Sequence, residues 1–175
     1  MPSVGYYDCE TTGSDVTKDR IIEVALVIKD NHGNTLRTYE QRINPQMKIS
    51  SGALEVHGIA DADVALSPTF EQVAPILGAL LEECDLVVAH NGDGFDWPIT
   101  LAEFKRVGAK VELPPQFDTM LTGRGCTPDG KVPTLGELCW ALDVDYDPAL
   151  AHAALYDVER MAAAFEKGVD YGVFG

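Results

Sequence analysis

The sequence has few basic residues, and it has no long apolar run. Its 175 residues include 28 Asp and Glu but only 13 Lys and Arg, which leaves a formal net charge of −15. No apolar stretch approaches the roughly 20 residues that a transmembrane helix needs. The N-terminal residues also lack the basic and then apolar layout of a secretory signal peptide. We therefore expect no association with a membrane.

Regular cysteine spacing is also missing. The four cysteines, which form no C-x-x-C pair, are Cys9, Cys84, Cys126 and Cys139. Structural zinc sites and disulfide-rich folds usually show a regular spacing, so neither is expected. Reduced thiols are typical of the cytoplasm, which is the localisation that we predict.

The scarcity of basic residues bears directly on function. Between Ile49 and Phe104 there is no Lys or Arg, whereas ten acidic residues occur. Affinity for nucleic acid comes largely from Lys and Arg side chains on phosphates. Composition alone therefore argues against a nucleic-acid-binding protein, and specific motifs are needed to overturn that argument.

The residues that are present predict strands first and then alternating helices and strands. Runs rich in apolar and β-branched residues predict strands at 4–9, 20–29, 35–43 and 86–89. Helical periodicity is found at 70–81, and it predicts that Ile76 and Leu77 are among the residues on one apolar face. Pro75 either kinks this helix or sets its start. Further helices are predicted at 95–107, 134–142 and 155–167. This order indicates an α/β domain with a mixed sheet.

The first motif that carries chemistry is a D-x-E pair at the end of an apolar strand. Asp8 and Glu10 are two positions apart, so their side chains project from the same face of a strand. At an effective dielectric near 20, two charges about 4 Å apart repel by about 4 kcal/mol. A positive partner is therefore expected between them, although such a pair is also typical of a solvated strand end.

Two further acidic residues lie in distinctive surroundings. Asp96 follows a glycine-rich bend after a buried strand, and Asp157 lies in the first turns of a helix that His152 precedes. For each of these three residues an ordinary structural role is the alternative to a catalytic one. Asp96 could cap the helix that it begins, Asp157 could complement the helix dipole, and His152 could be an ordinary loop residue.

Taken together, the ordered motifs D-x-E, H-N…F-D and H-x-x-x-x-D resemble the DnaQ-like (DEDDh) 3′→5′ exonuclease family. The resemblance covers nearly the whole chain, with further matching segments at residues 21–25, 43–45, 49–50, 56–59 and 118–119. It implies a ribonuclease H-like α/β fold, in which helices flank a mixed five-stranded sheet. It also implies a single exonuclease domain over residues 1–175.

Residue by residue, the resemblance implies a site for two divalent metal ions. The four implied metal ligands are Asp8, Glu10, Asp96 and Asp157. Their hard oxygen donors favour Mg²⁺ or Mn²⁺ over zinc. His152 would complete the catalytic set as the general base that takes a proton from the attacking water. Family members hold the terminal nucleotide with residues that match Thr11, Thr12, Val56, His57 and Phe95.

One spacing departs from the family's pattern. Three residues separate His-Asn from Phe-Asp where the family has two, namely Gly92, Asp93 and Gly94. Because the extra residue falls in a glycine-flanked bend, Asp96 is still expected to reach the metal ions. The roles of the His-Asn pair stay open, and Asp93 is a less favoured rival carboxylate.

The implied activity is the release of nucleoside 5′-monophosphates from DNA 3′ ends, with a preference for single strands. An exoribonuclease similar to oligoribonuclease or RNase T is the first alternative. A proofreading-type subunit bound to a polymerase, or a purely binding module, is the second. Nucleic acid is thus the predicted partner, with DNA placed before RNA. A polymerase and a second copy of the chain both stay open as protein partners.

The charge balance predicts how the affinity for nucleic acid depends on salt concentration. If the metal ions carry most of the positive charge, assisted by Arg124 and Lys131 in the loop at 123–133, few phosphates are contacted. When the logarithm of the binding constant is plotted against the logarithm of the salt concentration, fewer than about six phosphate contacts give a slope shallower than about −4 for single strands. Fluorescence anisotropy of labelled oligo(dT), measured from about 50 to about 200 mM salt, checks this slope. A steeper slope would contradict the expectation.

Overall fold

The computed structural model describes residues 2–174, so Met1 and Gly175, the two ends of the predicted domain, lie outside it. Within this part the strands are β1 (Ser3–Thr11), β2 (Ile21–Asp30), β3 (Thr35–Arg42), β4 (Leu86–Ala89) and β5 (Gln116–Asp118). The α-helices are α1 (Ser51–His57), α2 (Asp61–Val64), α3 (Phe70–Glu82), α4 (Asp96–Arg106), α5 (Thr119–Thr122), α6 (Leu135–Ala141) and α7 (Ala154–Asp170). Among residues 2–174, no helix combines the length and apolarity that crossing a membrane requires.

The five described strands form one mixed sheet in the order β3-β2-β1-β4-β5. β2 runs antiparallel to β1 and to β3, whereas β4 runs parallel to β1 and to β5. This arrangement confirms the mixed five-stranded sheet that the resemblance implied. Because β1 and β4 are parallel neighbours, they end at the same edge of the sheet. The chain leaves these two strands in different directions, and α/β proteins form ligand crevices at such switch points.

The sheet separates two apolar cores. One face packs against α3 and α4, with Leu26 and Leu77 among the fully buried residues. The other face packs against α6 and α7, where Val88 and Met161 are buried. Alternate residues of β1 and β2 enter opposite cores, as the two-residue period of a strand requires. The central strand β1 is therefore held on both faces and along both edges.

The stretch at 51–64, for which the sequence pattern predicted neither a helix nor a strand, is largely helical. It forms α1 and α2, and α1 begins where the Ser50 side chain accepts a hydrogen bond from the Ala53 backbone N–H. Gly58 ends α1 in the left-handed conformation, at a φ of 72°. These are capping signals. Periodicity could not detect α1, because none of its residues is buried.

Helix α3 runs through Pro75 without starting there. It begins after Thr69 and continues to Glu82, so the alternative in which the proline sets the start is wrong. Leu77 is completely buried, but Ile76, which was expected on the same face, is 54% exposed. At about 100° per residue, Ile76 lies just outside the arc that faces the sheet.

These two neighbours provide a matched test of the packing. Leu77→Ala should lower the free energy of unfolding by about 2–5 kcal/mol, because it removes a buried side chain and leaves a cavity. Ile76→Ala, one residue away on the exposed face of the helix, should change it by less than about 0.5 kcal/mol. Urea unfolding followed by circular dichroism measures both. Equal losses would show that the helix does not pack as described.

Candidate active site

Four acidic side chains converge at the sheet edge where β1 and β4 end. Asp8 and Glu10 lie on β1, two positions apart and on the face that packs against α7. Asp157 lies in the first turn of α7, and Asp96 is the first residue of α4. The structure thus brings together all four carboxylates that the sequence singled out, from three separate elements.

The carboxylates are close enough to change one another's acidity. Burial, followed by the charges of Asp96, Glu10 and Asp157, raises the pKa of Asp8 well above its usual range. Burial and the nearby Asp157 raise the pKa of Glu10 to about 8. The pKa of Asp96 rises to about 7, chiefly through burial, and burial also raises that of Asp157. Ionising all four groups at neutral pH is therefore unfavourable unless a cation lies beside them.

No Lys or Arg in the described chain forms an ion pair with any of these four carboxylates. Glu23, which faces Glu10 across the β1–β2 ladder, adds a fifth carboxylate beside them. Its partner is Arg42, whose Nε lies 3.1 Å from the Glu23 Oε1 atom. The local shortage of positive charge and the all-oxygen donor set fit divalent metal ions such as Mg²⁺ or Mn²⁺.

His152 stands directly over this cluster. It is an exposed residue in the left-handed conformation, with a φ of 63°. Its backbone N–H donates to the Asp157 Oδ2 atom at 2.7 Å. Its ring, Glu10 and Asp157 each offer a ligand atom, and these atoms all lie within 4.8 Å of one another. The imidazole is therefore placed where it can reach a water molecule bound at the carboxylates.

Two neighbours orient the acidic side chains. The Cys9 thiol, which points to the opposite face of β1 from Asp8, donates to the Asp96 Oδ1 atom at 3.4 Å. The Tyr146 hydroxyl donates to the Asp157 Oδ1 atom at 3.4 Å. Sequence reasoning singled out neither neighbour for this role, because nothing in their spacing marks them.

The bend between β4 and α4 is organised by Asp118, a buried residue at the end of β5. The Asp118 Oδ1 atom accepts hydrogen bonds from the backbone N–H groups of Asn91, Met120 and Leu121 at 2.8–3.2 Å. The Oδ2 atom accepts from the Asp93 N–H at 3.1 Å. One carboxylate thus holds both the start of α5 and the bend that carries the extra residue. The Asp-Thr pair at 118–119 was noted in the sequence, but this role was not foreseen.

The same bend explains how Asp96 reaches the cluster despite the extra residue. Asn91 takes the left-handed conformation (φ 70°), and its carbonyl accepts the N–H groups of Gly94 and Phe95. A Cβ atom at Gly92 would lie 2.5 Å from the Trp97 Nε1 atom, so only glycine fits there. The side chain of Asp93 is exposed, which places this rival carboxylate outside the buried cluster.

The His90 ring bonds to residues outside the carboxylate cluster. Its Nδ1 atom lies 3.0 Å from the Thr119 hydroxyl, and its Nε2 atom lies 3.1 Å from the Pro133 carbonyl oxygen. Both ring nitrogens are therefore engaged, and they join the end of β4 to α5 and to the loop before α6. The structure gives this residue an anchoring position beside the site.

A cavity of about 390 Å³ lies on one side of the cluster. Among the residues expected to hold a terminal nucleotide, four line it: Thr11, Val56, His57 and Phe95. Thr12 does not line this cavity. It is completely buried, and its hydroxyl donates to Asp19 and accepts from the Arg20 N–H. Thr12 therefore fixes the loop after β1.

Hydrogen bonds determine which nitrogen of the His57 ring carries the proton. The Ile59 backbone N–H donates to the Nδ1 atom at 3.0 Å, so this nitrogen carries no proton. The Nε2 atom then carries the proton and donates to the Thr11 carbonyl at 3.1 Å. Burial also lowers the pKa of His57, which favours this neutral form. Only the face and edge of the ring remain available to a ligand.

A larger groove of about 1060 Å³ opens on the other side of the cluster. Asp8, His152 and Asp157 line it, together with residues of α6 and of the loop before α6. Lys131, which the sequence offered as a source of positive charge, pairs with Glu137 at 2.6 Å. Its charge is therefore largely compensated, whereas Arg124 is exposed in a 3₁₀ helix.

Comparison with known proteins places this geometry in a family. The sequence model of the exonuclease family represented by RNase T matches residues 6–165. The DNA polymerase III PolC-type proteins of Bacillus cereus and Bacillus subtilis are 30% and 31% identical to the chain. Each alignment covers 94% of this chain but 12% of the polymerase. The chain thus spans about an eighth of the length of these relatives.

Solved structures of Escherichia coli exonuclease I share the fold. The complex with a dA16 oligonucleotide superposes with a TM-score of 0.85 at 18% identity, covering 99% of this chain and 42% of exonuclease I. A zinc-bound form in complex with single-stranded DNA gives a TM-score of 0.87 at 18% identity. The fold is therefore the ribonuclease H-like fold that the motifs implied. Since the family model covers most of the chain, the protein belongs to the DnaQ-like exonuclease family.

Proposed function

We propose that the protein is a metal-dependent 3′→5′ exonuclease that releases nucleoside 5′-monophosphates from single-stranded DNA. The supporting observation is that the carboxylate cluster borders two pockets: Glu10 lines a cavity of about 390 Å³, and Asp8 and Asp157 line a groove of about 1060 Å³. A phosphodiester held at the carboxylates would place one terminal nucleoside in the cavity and the remaining strand in the groove. This arrangement favours cleavage one nucleotide from an end.

Asp157 would orient His152, and His152 would transfer the proton. Asp157 binds the His152 backbone, so the imidazole and the carboxylate are held together. From this position His152 would take the proton of the attacking water, the role in which histidine is the commonest side chain. Two divalent metal ions, Mg²⁺ or Mn²⁺, held by Asp8, Glu10, Asp96 and Asp157, would supply charge that activates the water and stabilises the leaving oxygen.

The relatives favour DNA over RNA as the substrate. Those in the two Bacillus species are named as DNA polymerases, and exonuclease I was solved with the oligonucleotide dA16. A proofreading role beside a polymerase is the biological setting that these names support. Matched DNA and RNA oligonucleotides, digested under the same conditions, separate this proposal from an exoribonuclease.

Removal of the base or of a central carboxylate should abolish efficient cleavage. We expect His152→Ala to lower kcat by roughly 10²–10⁴-fold. Asp8→Asn should lower it at least as much, because it removes a charge from the cation site. Activity is measured on a 5′-labelled oligonucleotide with Mg²⁺ or Mn²⁺. Blocking the 3′ end with an inverted nucleotide should stop digestion, whereas blocking the 5′ end should not.

Asp93→Asn is the matched control for these variants. Asp93 is an exposed acidic side chain in the bend beside the site, and only its backbone takes part in holding that bend. This variant should keep the wild-type rate. Full activity of His152→Ala would contradict the assigned base, and digestion from a blocked 3′ end would contradict the direction.

The metal-free protein should lose stability as the pH rises. The pKa values of about 8 for Glu10 and about 7 for Asp96 exceed the ordinary values of 4.5 and 3.8. Between these limits the folded state binds more protons than the unfolded state, so stability falls from about pH 4 to about pH 8. Thermal unfolding in EDTA measures this trend, and Glu10→Gln should flatten it.

Divalent metal should restore stability at the upper end of this range. A ligand at about 100 times its Kd stabilises the folded state by about 2.7 kcal/mol. For a chain of this size each kcal/mol corresponds to about 2–4 °C in Tm. We therefore expect Mg²⁺ or Mn²⁺ to raise Tm by about 5–10 °C at pH 8 in the wild type and in Asp93→Asn. An unchanged Tm at saturating metal would count against the site.

A further inference from the structure

Trp140 is an exposed aromatic residue on a helix that otherwise packs well. Trp140 is 83% exposed to solvent, whereas Trp97 is 2% exposed. Helix α6 buries Leu138 and Cys139 against the core, so Trp140 lies on the opposite face, one turn after Gly136. A large ring that contributes so little to packing calls for another explanation.

This ring lines the groove that begins at the active site. Asp8, His152 and Asp157 line this groove, and Gly136 and Trp140 line it as well. The cavity for the terminal nucleoside lies on the other side of the carboxylates and includes Glu10 and Phe95. On the proposed function, the strand that remains attached to the leaving oxygen must therefore enter the groove.

Electrostatics determine what the groove can hold. Among the described residues that line it there is no Lys or Arg, whereas Glu137 and Asp145 are present. Lys131 lies beside this groove, but it is paired with Glu137, so phosphates find little uncompensated positive charge there. Bases can still bind, because stacking on an aromatic face is insensitive to net charge and to base identity. An exposed indole supplies such a face.

We propose that Trp140 is a stacking platform for a nucleobase of the strand upstream of the scissile bond. The proposal rests on the exonuclease function argued above and extends it to the mode of strand recognition. A base must leave its neighbours to lie on the indole, and a paired base in a duplex cannot do so without unpairing. Trp140 therefore gives the enzyme a preference for single-stranded ends.

Kinetics on two substrates test the platform. With a ten-nucleotide oligo(dT), Trp140→Ala should raise KM roughly 5- to 150-fold, as expected when one stacked base is lost. The p-nitrophenyl ester of thymidine 5′-monophosphate carries no upstream nucleotide, so its kcat/KM should stay at the wild-type value. Trp140→Phe, which keeps an aromatic face, should recover most of the affinity for the oligonucleotide.

A matched variant and a modified substrate sharpen the result. Tyr171→Ala removes another exposed aromatic side chain, which does not line the groove, and should leave both substrates unaffected. A single abasic position, moved through the second to fourth nucleotides from the 3′ end, should raise KM at one position in the wild type. In Trp140→Ala the same position should have no further effect.

The two proposals fail in different ways. If the wild type hydrolyses both substrates and Trp140→Ala changes neither, the platform is wrong and the exonuclease function stands. An equal loss on both substrates would also overturn it, because the residue would then act through the fold or the catalytic centre. If the wild type hydrolyses neither substrate with Mg²⁺ or Mn²⁺, the exonuclease function itself fails.

Discussion

Repulsion among four neighbouring carboxylates is the constraint on which the architecture depends. Neutral pH favours their ionisation, yet burial and proximity raise their pKa values. The two β1 members can be held together because that strand is paired along both edges and covered on both faces by apolar cores. The stability of the surrounding sheet therefore sustains an arrangement that is unfavourable by itself. A cation that relieved the repulsion would be bound more strongly for the same reason.

Buried polar side chains, more than apolar packing, shape the loops around this cluster. Asp118 accepts four backbone N–H groups and so joins the bend before α4 to the start of α5. The Thr12 hydroxyl joins Asp19 to the Arg20 backbone in the loop after β1. Such contacts are needed where strands end, because backbone groups there lose their ladder partners but stay partly buried. They hold the loops in the single arrangement that catalysis would require.

Much of the fold was predictable from periodicity, and the four acidic residues were predictable from their order. Strand β1 places Asp8 and Glu10 on one face by its two-residue period. Helix α4 begins at Asp96 although the bend before it contains an extra residue. The features that could not be predicted leave no periodic pattern of apolar residues in the sequence. Helix α1 buries no residue, β5 has three residues, and the contacts of Cys9, Tyr146 and Asp118 join elements far apart in sequence. The buried position of Thr12 depends on Asp19, which no motif connects to it.

On the proposed function, the engaged nitrogens of His57 have a consequence for which nucleotides the enzyme can remove. A ring whose two nitrogens already bond to Ile59 and Thr11 cannot read the hydrogen-bonding edge of a base. The neighbouring Val56 and Phe95 offer apolar surface in the same cavity. Walls of this kind would accept purines and pyrimidines alike, and they would let each product leave without breaking base-specific hydrogen bonds. An enzyme that shortens a strand of arbitrary sequence needs this indifference, so that no single base becomes a point of arrest.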